Sequence, residues 1–284
     1  MIVAINGNRH QEKHLADIER LVSDLMRRDN KVVMSDRFLD YLVGKLGSRF
    51  AIGIHHIRLS EQPLADLAVA IGGDGAFLKT AAWVGDSATP VAGINTGHLG
   101  FLAAFSFDRP EEITDHLLGG DYATEKRSLI QAETPAGIFL ALNEAAITRG
   151  ENASMVTVDT EINGHHSLTY KGDGLIIATP TGSTAYNLSV GGPILDPSVA
   201  GWVISPIAAH SLSVRPLVIN DSSVLTATVT VRAQSFRLTL DGKPLSLPAG
   251  SRLVFRKAPF PLNVVTLPGH TFTDTLRSKL GLGG

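Results

Sequence analysis

Three glycines surround one carboxylate in the segment Gly72-Gly73-Asp74-Gly75, which directly follows the apolar run Leu67–Ile71. Glycine tolerates positive φ angles and lets backbone N–H groups approach a ligand closely. A helix predicted from Ala76 to Val84 would point its unpaired N–H groups into the same space, which favours phosphate. A carboxylate in that space is unfavourable beside phosphate unless it holds a metal or accepts a proton. The alternative is a tight strand-to-helix connection in which Asp74 only caps the helix.

A second polar segment, Thr179–Ser189, follows the buried strand predicted at Gly174–Ala178. Its sequence, TPTGSTAYNLS, is dense in hydroxyl groups and leads into a short predicted helix with Ser183 or Thr184 at the N-cap. Polar loops on rigid scaffolds commonly carry function, and this one offers backbone and hydroxyl donors to a polar ligand. The alternative is an ordinary Pro/Gly turn followed by a capped helix.

A third polar feature is the pair Asn143-Glu144, which interrupts the apolar segment Ile138–Ile147. Adjacent residues of a strand point to opposite faces, so we expect at least one of the two side chains to face inward and to need partners. A ribose would supply such partners, because a carboxylate can accept hydrogen bonds from its two vicinal hydroxyls. The alternative is a strand end exposed to water, where the side chains need no protein or ligand partner. The turn Leu240–Pro244 reads as a hairpin turn that requires no function by itself.

The elements that must position these groups change in character near residue 103. Residues 1–103 alternate predicted strands and helices, which indicates a parallel sheet with helices on its faces. Ligands of such sheets bind beyond the C-terminal ends of the strands. The turn Gly72–Gly75 and the turn Asn95–Gly100 both lie at that edge, so we expect a binding site there.

The rest of the chain is rich in predicted strands that favour an antiparallel β domain. Asn163-Gly164 is a strong hairpin signal, and Gly137–Thr148 reads as one strand paired with Ser128–Glu133. We expect the segments Leu262–Thr266 and Thr273–Leu280 to pack on the first domain. The predicted domains are therefore residues 1–103, joined by 265–284, and residues 104–264.

Composition excludes several classes of protein. The chain has 284 residues, no cysteine and a net charge of −2. Without cysteine there is no disulfide framework, thiolate zinc site or cysteine nucleophile. No basic cluster indicates nucleic-acid binding, and no apolar run approaches the ~20 residues that cross a bilayer. We expect a cytoplasmic protein with no nucleic-acid or membrane partner. The signatures of P-loop kinases, dinucleotide dehydrogenases, zinc proteases and serine hydrolases are absent from the sequence.

Taken together, these segments resemble the NAD kinase family in order and spacing over most of the chain. The matching segments are Gly72–Gly75, Asn95–Leu102, Asn143-Glu144, Asp173–Ile176, Thr179–Tyr186 and Gly191–Ile194. The block Thr179–Tyr186 is highly specific to this family. The turn at Gly72–Gly75 is less specific, because lipid kinases share it and the phosphofructokinase site is similar.

The resemblance implies transfer of the terminal phosphate of ATP, or of polyphosphate in some members, to the 2′-hydroxyl of the adenosine ribose of NAD, which gives NADP. It implies a divalent cation, usually Mg²⁺, whose ligands the sequence leaves unknown, and a homodimer or homotetramer. It also implies an α/β N-terminal domain with a parallel sheet and a mainly antiparallel β C-terminal domain.

The resemblance assigns roles to individual residues. Asp74 is the candidate general base, since a nearby carboxylate can accept the proton of a ribose hydroxyl as the oxygen attacks phosphorus. The amides of Gly72, Gly73 and Gly75, and the side chain of Lys79, are expected to hold the donor phosphates. The residues expected to contact the dinucleotide are Asn143, Glu144, Lys171, Asp173, Thr184, Ala185, Tyr186, Asn187, Leu188, Ser189 and, at a position where members vary, Lys243.

Two residues depart from the family pattern. Ala76 stands where Thr is common, which removes a hydroxyl ligand for phosphate or metal, and Asn187 replaces a common Ser but still forms hydrogen bonds. Two alternatives remain beside the NAD kinase hypothesis. One is a lipid kinase that shares the glycine turn, and the other is a non-catalytic NAD(P)-binding sensor, which could lose Asp74.

Overall fold

The computed structural model describes residues 1–97, 100–150 and 155–281. The chain divides into two compact units, one formed by Met1–Lys126 together with the residues from Leu262 onward, and the other by Arg127–Pro261. The strands in chain order are β1 (Ile2–Gly7), β2 (Lys31–Ser35), β3 (Ile54–Ile57), β4 (Leu67–Ile71), β5 (Val91–Asn95), β6 (Phe105–Ser106), β7 (Ala123–Arg127), β8 (Ile130–Thr134), β9 (Gly137–Ala141), β10 (Glu144–Thr148), β11 (Val156–Ile162), β12 (His165–Gly172), β13 (Gly174–Ala178), β14 (Gly201–Ile207), β15 (Leu217–Asn220), β16 (Leu225–Thr230), β17 (Ser235–Leu240), β18 (Lys243–Pro248), β19 (Arg252–Lys257) and β20 (Leu262–Thr266). The helices are α1 (Leu15–Arg27), α2 (Asp36–Leu46), α3 (Asp74–Val84), the short α4 (Pro110–Glu112), α5 (Tyr186–Ser189) and α6 (Phe272–Leu280).

The first unit is built on a sheet in the order β3-β2-β1-β4-β5-β20-β7, with β6 beside β5. Strands β1 to β5 pair in parallel, as the alternation of strands and helices predicts. Strand β4 is apolar along its whole length and all five of its residues are buried, as expected for a central strand of a parallel sheet that helices cover on both faces. Helix α1 contributes an apolar stripe that includes Ile18, Val22 and Leu25 to the same core.

The order of the strands reverses between β1 and β4, because β2 and β3 lie on one side of β1 and β4 and β5 on the other. Such a switch point opens a crevice beyond the C-terminal ends of the strands. Gly72 follows β4 at that edge, and Asn8 follows β1, with its backbone N–H 3.2 Å from the carbonyl oxygen of Ile71. The fold therefore brings the glycine turn to the place where this architecture binds ligands.

The second unit is a sandwich of two antiparallel sheets. The strand orders are β15-β14-β13-β10-β17-β18 and β12-β11-β16-β19-β8-β9. Alternate side chains of both sheets, among them Trp202, Phe236 and Phe255, form one buried core. The hairpin predicted at Asn163-Gly164 joins β11 to β12, and both residues have positive φ, 52° and 80°.

The structure differs from the sequence prediction at three places. Residues 137–148 do not form one strand, because the chain leaves one sheet after β9 and enters the other at β10. Helix α3 begins at Asp74 instead of Ala76. The sequence also predicts one helix at Glu111–Leu118, ended by Gly119-Gly120. The structure instead has the short α4 followed by one π-helical turn, Ile113–Leu117.

The unit boundaries lie at 126/127 and 261/262, whereas the sequence predicts them at 103/104 and 264/265. Residues 104–126 continue the first unit, because β6 and β7 lie in its sheet. Strand β20 returns to this sheet between β5 and β7, with Val264 opposite Val91. The strands β3, β6, β7, β15 and β18 are not among the strands predicted from the sequence. Of these, β3, β6 and β7 carry no clear alternation of apolar and polar residues.

Candidate functional site

The carboxylate of Asp74 is held by a second loop of the first unit. Asp74 is the first residue of α3, and Gly73 occupies the N-cap position. One carboxylate oxygen, Oδ2, accepts the N–H of Phe101 at 2.9 Å, and Oδ1 accepts the N–H of Leu102 at 3.1 Å. The carboxylate is thus oriented by the loop that follows β5, so the simple helix-capping interpretation of Asp74 is wrong.

Two glycines allow this close approach. A methyl group at Gly100 would lie 2.5 Å from Oδ1 of Asp74, and one at Gly72 would lie 2.9 Å from the Cβ atom of Ala76. Gly72 has φ of +140°, a conformation that residues with side chains rarely adopt. Gly75 is exposed in the first turn of α3, where helices leave N–H groups without intrahelical partners. The turn therefore presents one oriented carboxylate at the N-terminus of α3, whereas the N–H of Gly72 is already used, since it donates to the carbonyl oxygen of Ile94 at 3.0 Å.

A buried polar network fixes the helix behind the turn. Asn6 of β1 donates from Nδ2 to Oγ1 of Thr80 on α3 at 3.1 Å and accepts the hydroxyl of Ser35 at 2.7 Å. All three side chains are at least 98% buried. Buried polar groups with partners specify one geometry, since any shift leaves a desolvated group unpaired. Lys79, in the second turn of α3, is exposed and is not part of this network.

In the second unit, one carboxylate organises the backbone around Asn143 and Glu144. Asp241 Oδ2 accepts the N–H of Leu142 at 2.6 Å. Its Oδ1 accepts the N–H of Asn143 at 2.8 Å and that of Glu144 at 3.2 Å. Asn143 and Glu144 are only 8% and 9% exposed, so both side chains are buried where the sequence required at least one.

The carboxyl group of Glu144 has an unusually high pKa. Its pKa is raised to about 7, first by burial and second by the nearby charge of Asp241, while a hydrogen bond from the Tyr186 backbone lowers it. Burial also raises the pKa of Asp241, against hydrogen bonds from three backbone N–H groups and the charge of Lys243. Glu144 Oε2 is buried and has no hydrogen-bond partner among the residues that the structure describes. A buried acceptor without a donor is what a ligand hydroxyl would satisfy.

The polar segment Thr179–Ser189, which is predicted to bind a ligand, packs directly on the backbone of residues 142–143. Thr179 accounts for two contacts, since its hydroxyl donates to the carbonyl oxygen of Leu142 at 2.5 Å and its N–H donates to that of Asn143 at 2.9 Å. A methyl group at Gly182 would lie 2.0 Å from the Asn143 carbonyl oxygen. The structure therefore brings together the two polar features that the sequence separates by more than thirty residues.

Asn187 has a different place from its neighbours in the segment. It is fully buried, and its Nδ2 group donates to the carbonyl oxygens of Ser183 and Pro193, both at 3.1 Å. Its Oδ1 accepts the hydroxyl of Ser205 at 2.6 Å. Both amide N–H groups are in use, so Asn187 holds the segment in place instead of presenting donors to a ligand. The more accessible members are Thr184, Ala185, Tyr186, Leu188 and Ser189.

The remaining predicted residues lie at the edges of the second unit. Asp173 connects β12 to β13 and forms an ion pair with Arg149, with Nε 3.2 Å from Oδ1. Lys171 is exposed near the end of β12, and Lys243 is exposed at the start of β18. The positive charge of Lys243 lowers the pKa of Asp241.

Two features are absent from the described part of the chain. No group of three or more His, Asp or Glu residues there could hold a metal ion. No helix among the same residues is long and apolar enough to cross a membrane.

Both halves of the chain match models of one enzyme family. Residues 5–122 match the ATP-NAD kinase N-terminal domain, and residues 142–267 match the ATP-NAD kinase C-terminal domain. The curated NAD kinase of Porphyromonas gingivalis W83 is 39% identical over 283 residues, which are 99% of this chain and 98% of that protein. The chain belongs to the ATP-NAD kinase family. An NAD kinase of Bacteroides fragilis is likewise 39% identical, over 287 residues that cover 100% of this chain and 98% of that protein.

Solved kinase structures share the fold. Yeast NADH kinase, crystallised with NADH, superposes with a TM-score of 0.86 at 22% identity. The superposition covers 100% of this chain and 88% of the yeast chain. The NAD kinase of Archaeoglobus fulgidus, crystallised with ATP, gives a TM-score of 0.74 at 23% identity with both chains fully covered. The expected architecture, an α/β unit followed by an antiparallel β unit, is confirmed.

Sequence reasoning missed the residues that hold the site. Asp241 lies 97 to 99 residues from the amides that it accepts, and its turn had been read as an ordinary hairpin turn. Gly100 and Thr179 were seen only as parts of motifs. An aspartate before a glycine after an apolar strand is a weak signal, because most such pairs only form turns.

Proposed function

We propose that this member of the kinase family transfers the terminal phosphate of ATP, or of polyphosphate, to the 2′-hydroxyl of the adenosine ribose of NAD, with NADP as the product. The observation that carries the proposal is full-length similarity to curated NAD kinases at 39% identity. The oriented Asp74 carboxylate supports it, because a sensor that only binds NAD has no need of such a group. No observation favours the lipid kinase or the sensor.

Asp74 is proposed as the general base. As the 2′-oxygen attacks the terminal phosphorus, its proton passes to the Asp74 carboxylate and a new P–O bond forms. The bond between that phosphorus and the bridging oxygen breaks, and ADP leaves with the bonding electrons when ATP is the donor. Each Asp74 oxygen accepts one backbone N–H and has a second lone pair for the substrate. Such positioning is the main contribution of proteins to phosphoryl transfer.

The donor phosphates are assigned to the amides of Gly73 and Gly75 and to Lys79. The predicted role of the Gly72 amide is dropped, because its N–H donates to the carbonyl oxygen of Ile94 at 3.0 Å. Backbone N–H groups and a helix N-terminus favour negative charge, and α3 supplies both next to Asp74. Ala76 is 4% exposed and has no hydroxyl, so the donor depends on the backbone at this position.

The dinucleotide is assigned to the second unit. Glu144 in its ionised form would accept ribose hydroxyls through its unpartnered Oε2, and Asn143 beside it would contact neighbouring groups. The accessible residues Thr184, Ala185, Tyr186, Leu188 and Ser189 are proposed contacts, as are Asp173, Lys171 and Lys243. Asn187 supports these contacts from the buried side.

Mg²⁺ is the proposed cofactor. It commonly keeps several waters and binds through one or two carboxylates together with substrate phosphates, so it does not need a cluster of protein ligands. The glycine turn, with Asp74 as its carboxylate, fits an ion of this kind. When bound, the ion would neutralise phosphate charge as the terminal phosphate is transferred.

A homodimer or homotetramer and a cytoplasmic location complete the proposal. The assembly is carried over from the family resemblance. The location is supported by the absence of cysteine, which suits a reducing compartment.

The reaction is tested by incubating the purified chain with Mg²⁺ and NAD, once with ATP and once with polyphosphate, and by measuring NADP. A parallel reaction replaces NAD by diacylglycerol in vesicles. We expect NADP from NAD and no phosphorylated lipid. Phosphorylated lipid without NADP would overturn the proposal, and NAD binding without turnover under any condition would favour the sensor.

The role of Asp74 is tested with Asp74→Asn, which keeps the shape of the side chain and removes its basicity. We expect kcat to fall by about 100-fold or more, since general base catalysis contributes about 10²–10⁴-fold. The dissociation constant of NAD, measured by calorimetry, should change little because the proposed dinucleotide contacts remain. Undiminished kcat in this variant would show that Asp74 is not the base.

A further inference from the structure

The backbone N–H groups of residues 142–144 are not paired with a neighbouring strand. The chain leaves the sheet of β8 and β9 after Ala141 and enters the sheet of β10, β13 and β17 at Glu144. At this change of sheet, three consecutive N–H groups point to a carboxylate instead of to a neighbouring strand. Buried backbone donors need acceptors, so the path of the chain here depends on that carboxylate.

Asp241 is suited to this task by its own backbone. It has φ of +46° and is followed by Gly242 at +78°, which makes a tight turn between β17 and β18. The turn is anchored to the same segment, because the N–H of Asp241 donates to the carbonyl oxygen of Glu144 at 3.2 Å. Asp and Asn are among the few residues with side chains that adopt this conformation readily. Only an ionised Asp offers two oxygens that both accept N–H groups.

We propose that Asp241 is a positioning residue for the dinucleotide, because its carboxylate shapes the 142–144 backbone that presents Asn143 and Glu144. The inference rests on the proposed assignment of these two residues to NAD. It adds that the affinity for NAD depends on a residue that acts through the backbone of its neighbours.

The same carboxylate acts on Glu144 through its charge. The groups that act on the charge of Glu144 are Asp241 on the β17–β18 turn and the Tyr186 N–H on α5, while its neighbour on β13 is the apolar Ala178. Lys243, which follows the turn, acts on Asp241. Asp241 accepts three N–H groups whereas Glu144 Oε2 has none, so the proton shared by this pair near neutrality resides on Glu144. Affinity for ribose hydroxyls should therefore rise as pH increases through about 7, where Glu144 loses its proton.

The test uses the full chain with Asp241→Asn. This variant keeps Oδ1 for Asn143 and Glu144, but an NH₂ group now faces the Leu142 N–H, so one charge-assisted hydrogen bond is lost. We expect KM for NAD to rise about tenfold with kcat at saturating NAD within about threefold of wild type. Because a neutral Asn no longer raises the pKa of Glu144, the rise of NAD affinity with pH should move to lower pH. A merely structural residue would not move that midpoint.

Two further variants separate the possible failures. Asp221→Asn is the matched control, since Asp221 is a buried aspartate of the same unit that pairs with Lys257 at 2.6 Å; it should lower stability and leave KM for NAD and its pH midpoint unchanged. Glu144→Gln should raise KM for NAD and abolish the dependence on pH. If Glu144→Gln has no effect, the proposed NAD site itself is wrong.

If Glu144→Gln has its effect but Asp241→Asn changes neither KM nor the midpoint, only the role of Asp241 is overturned. Should Asp241→Asn fail to fold, the pH dependence of NAD affinity in the wild type still tests whether the ionisation of Glu144 controls that affinity. A binding curve for NAD that is flat between pH 5.5 and about 8.5 would contradict it.

Discussion

At the scale of single residues, the two units use the same device. Asp74 and Asp241 each accept consecutive backbone N–H groups from a remote loop of their own unit. A carboxylate held in this way is fixed in orientation without a charged partner, and its remaining lone pairs stay available. Gly100 is the residue that makes room for Asp74, because a methyl group there would lie 2.5 Å from Oδ1.

Gly100→Ala is therefore expected to damage catalysis more than folding. The Asp74 side chain can rotate away from the new methyl group, which costs little stability but moves the proposed base. A displacement of about 1 Å can reduce kcat about 100-fold. Steady-state kinetics and thermal unfolding measure the two effects. Gly44→Ala is the control, since a methyl group at Gly44 meets no atom within 4 Å; wild-type kcat in Gly100→Ala would contradict the prediction.

At the scale of elements, the segment Thr179–Ser189 is held from its buried side. The α5 helix has only four residues, too few to be stable by itself. Asn187 connects it to Ser183, Pro193 and the β14 residue Ser205, and Gly192 packs against the amide, where a methyl group would lie 2.0 Å away. The shape of the accessible side of the segment thus depends on the buried side chain of Asn187.

Replacing Asn187 should test this dependence. Asn187→Ala leaves buried donors and acceptors unpaired, and we expect the free energy of unfolding to fall by about 2 kcal/mol or more. Asn187→Ser keeps a hydroxyl and should lose less. Urea unfolding measures both variants, with Ser198→Ala at an exposed turn as the control. Equal stability of the Ala, Ser and wild-type proteins would show that the amide does not hold the segment.

At the scale of the whole molecule, the second unit buries a pair of carboxyl groups that makes stability depend on pH. The pKa of Glu144 is raised from 4.5 in the unfolded chain to about 7 in the folded protein. The folded state therefore binds a proton that the unfolded state has released. This contribution to stability is fully present below pH 4.5 and is lost as pH rises through about 7.

Glu144→Gln removes this titration, so its effect should depend on pH. At pH 4 the variant and the wild type should have similar free energies of unfolding. At about pH 8 the variant should be more stable, by up to about 3 kcal/mol. Urea unfolding at several pH values checks the difference, and Glu133→Gln on β8, where the carboxylate is exposed, should give a difference without this trend. A lower stability of Glu144→Gln at pH 8 would overturn the sign of the effect.

The regular part of this fold could be predicted from the sequence. The apolar run of β4 and the alternation of strands and helices predict a parallel sheet, and Asn163-Gly164 predicts a hairpin, because these signals are local. The break between β9 and β10 was missed because both halves of residues 137–148 are apolar enough for a strand. At the break, the N–H groups of residues 142–144 donate to the Asp241 carboxylate, which is remote in sequence.

The sequence by itself determined the family and the chemical groups of the site, since motifs such as Gly72–Gly75 and Thr179–Tyr186 depend on residue type and spacing. Only the tertiary structure decided which of these groups are accessible and which are buried and hold the others. It buried Asn187 behind the segment Thr179–Ser189 and gave Asp74 its two amide partners. It also placed the Asp241 carboxylate within hydrogen-bond distance of the Glu144 N–H. The physical reason is that hydrogen bonds and burial depend on distance in space, and residues up to 99 positions apart meet here only after the sheets have formed.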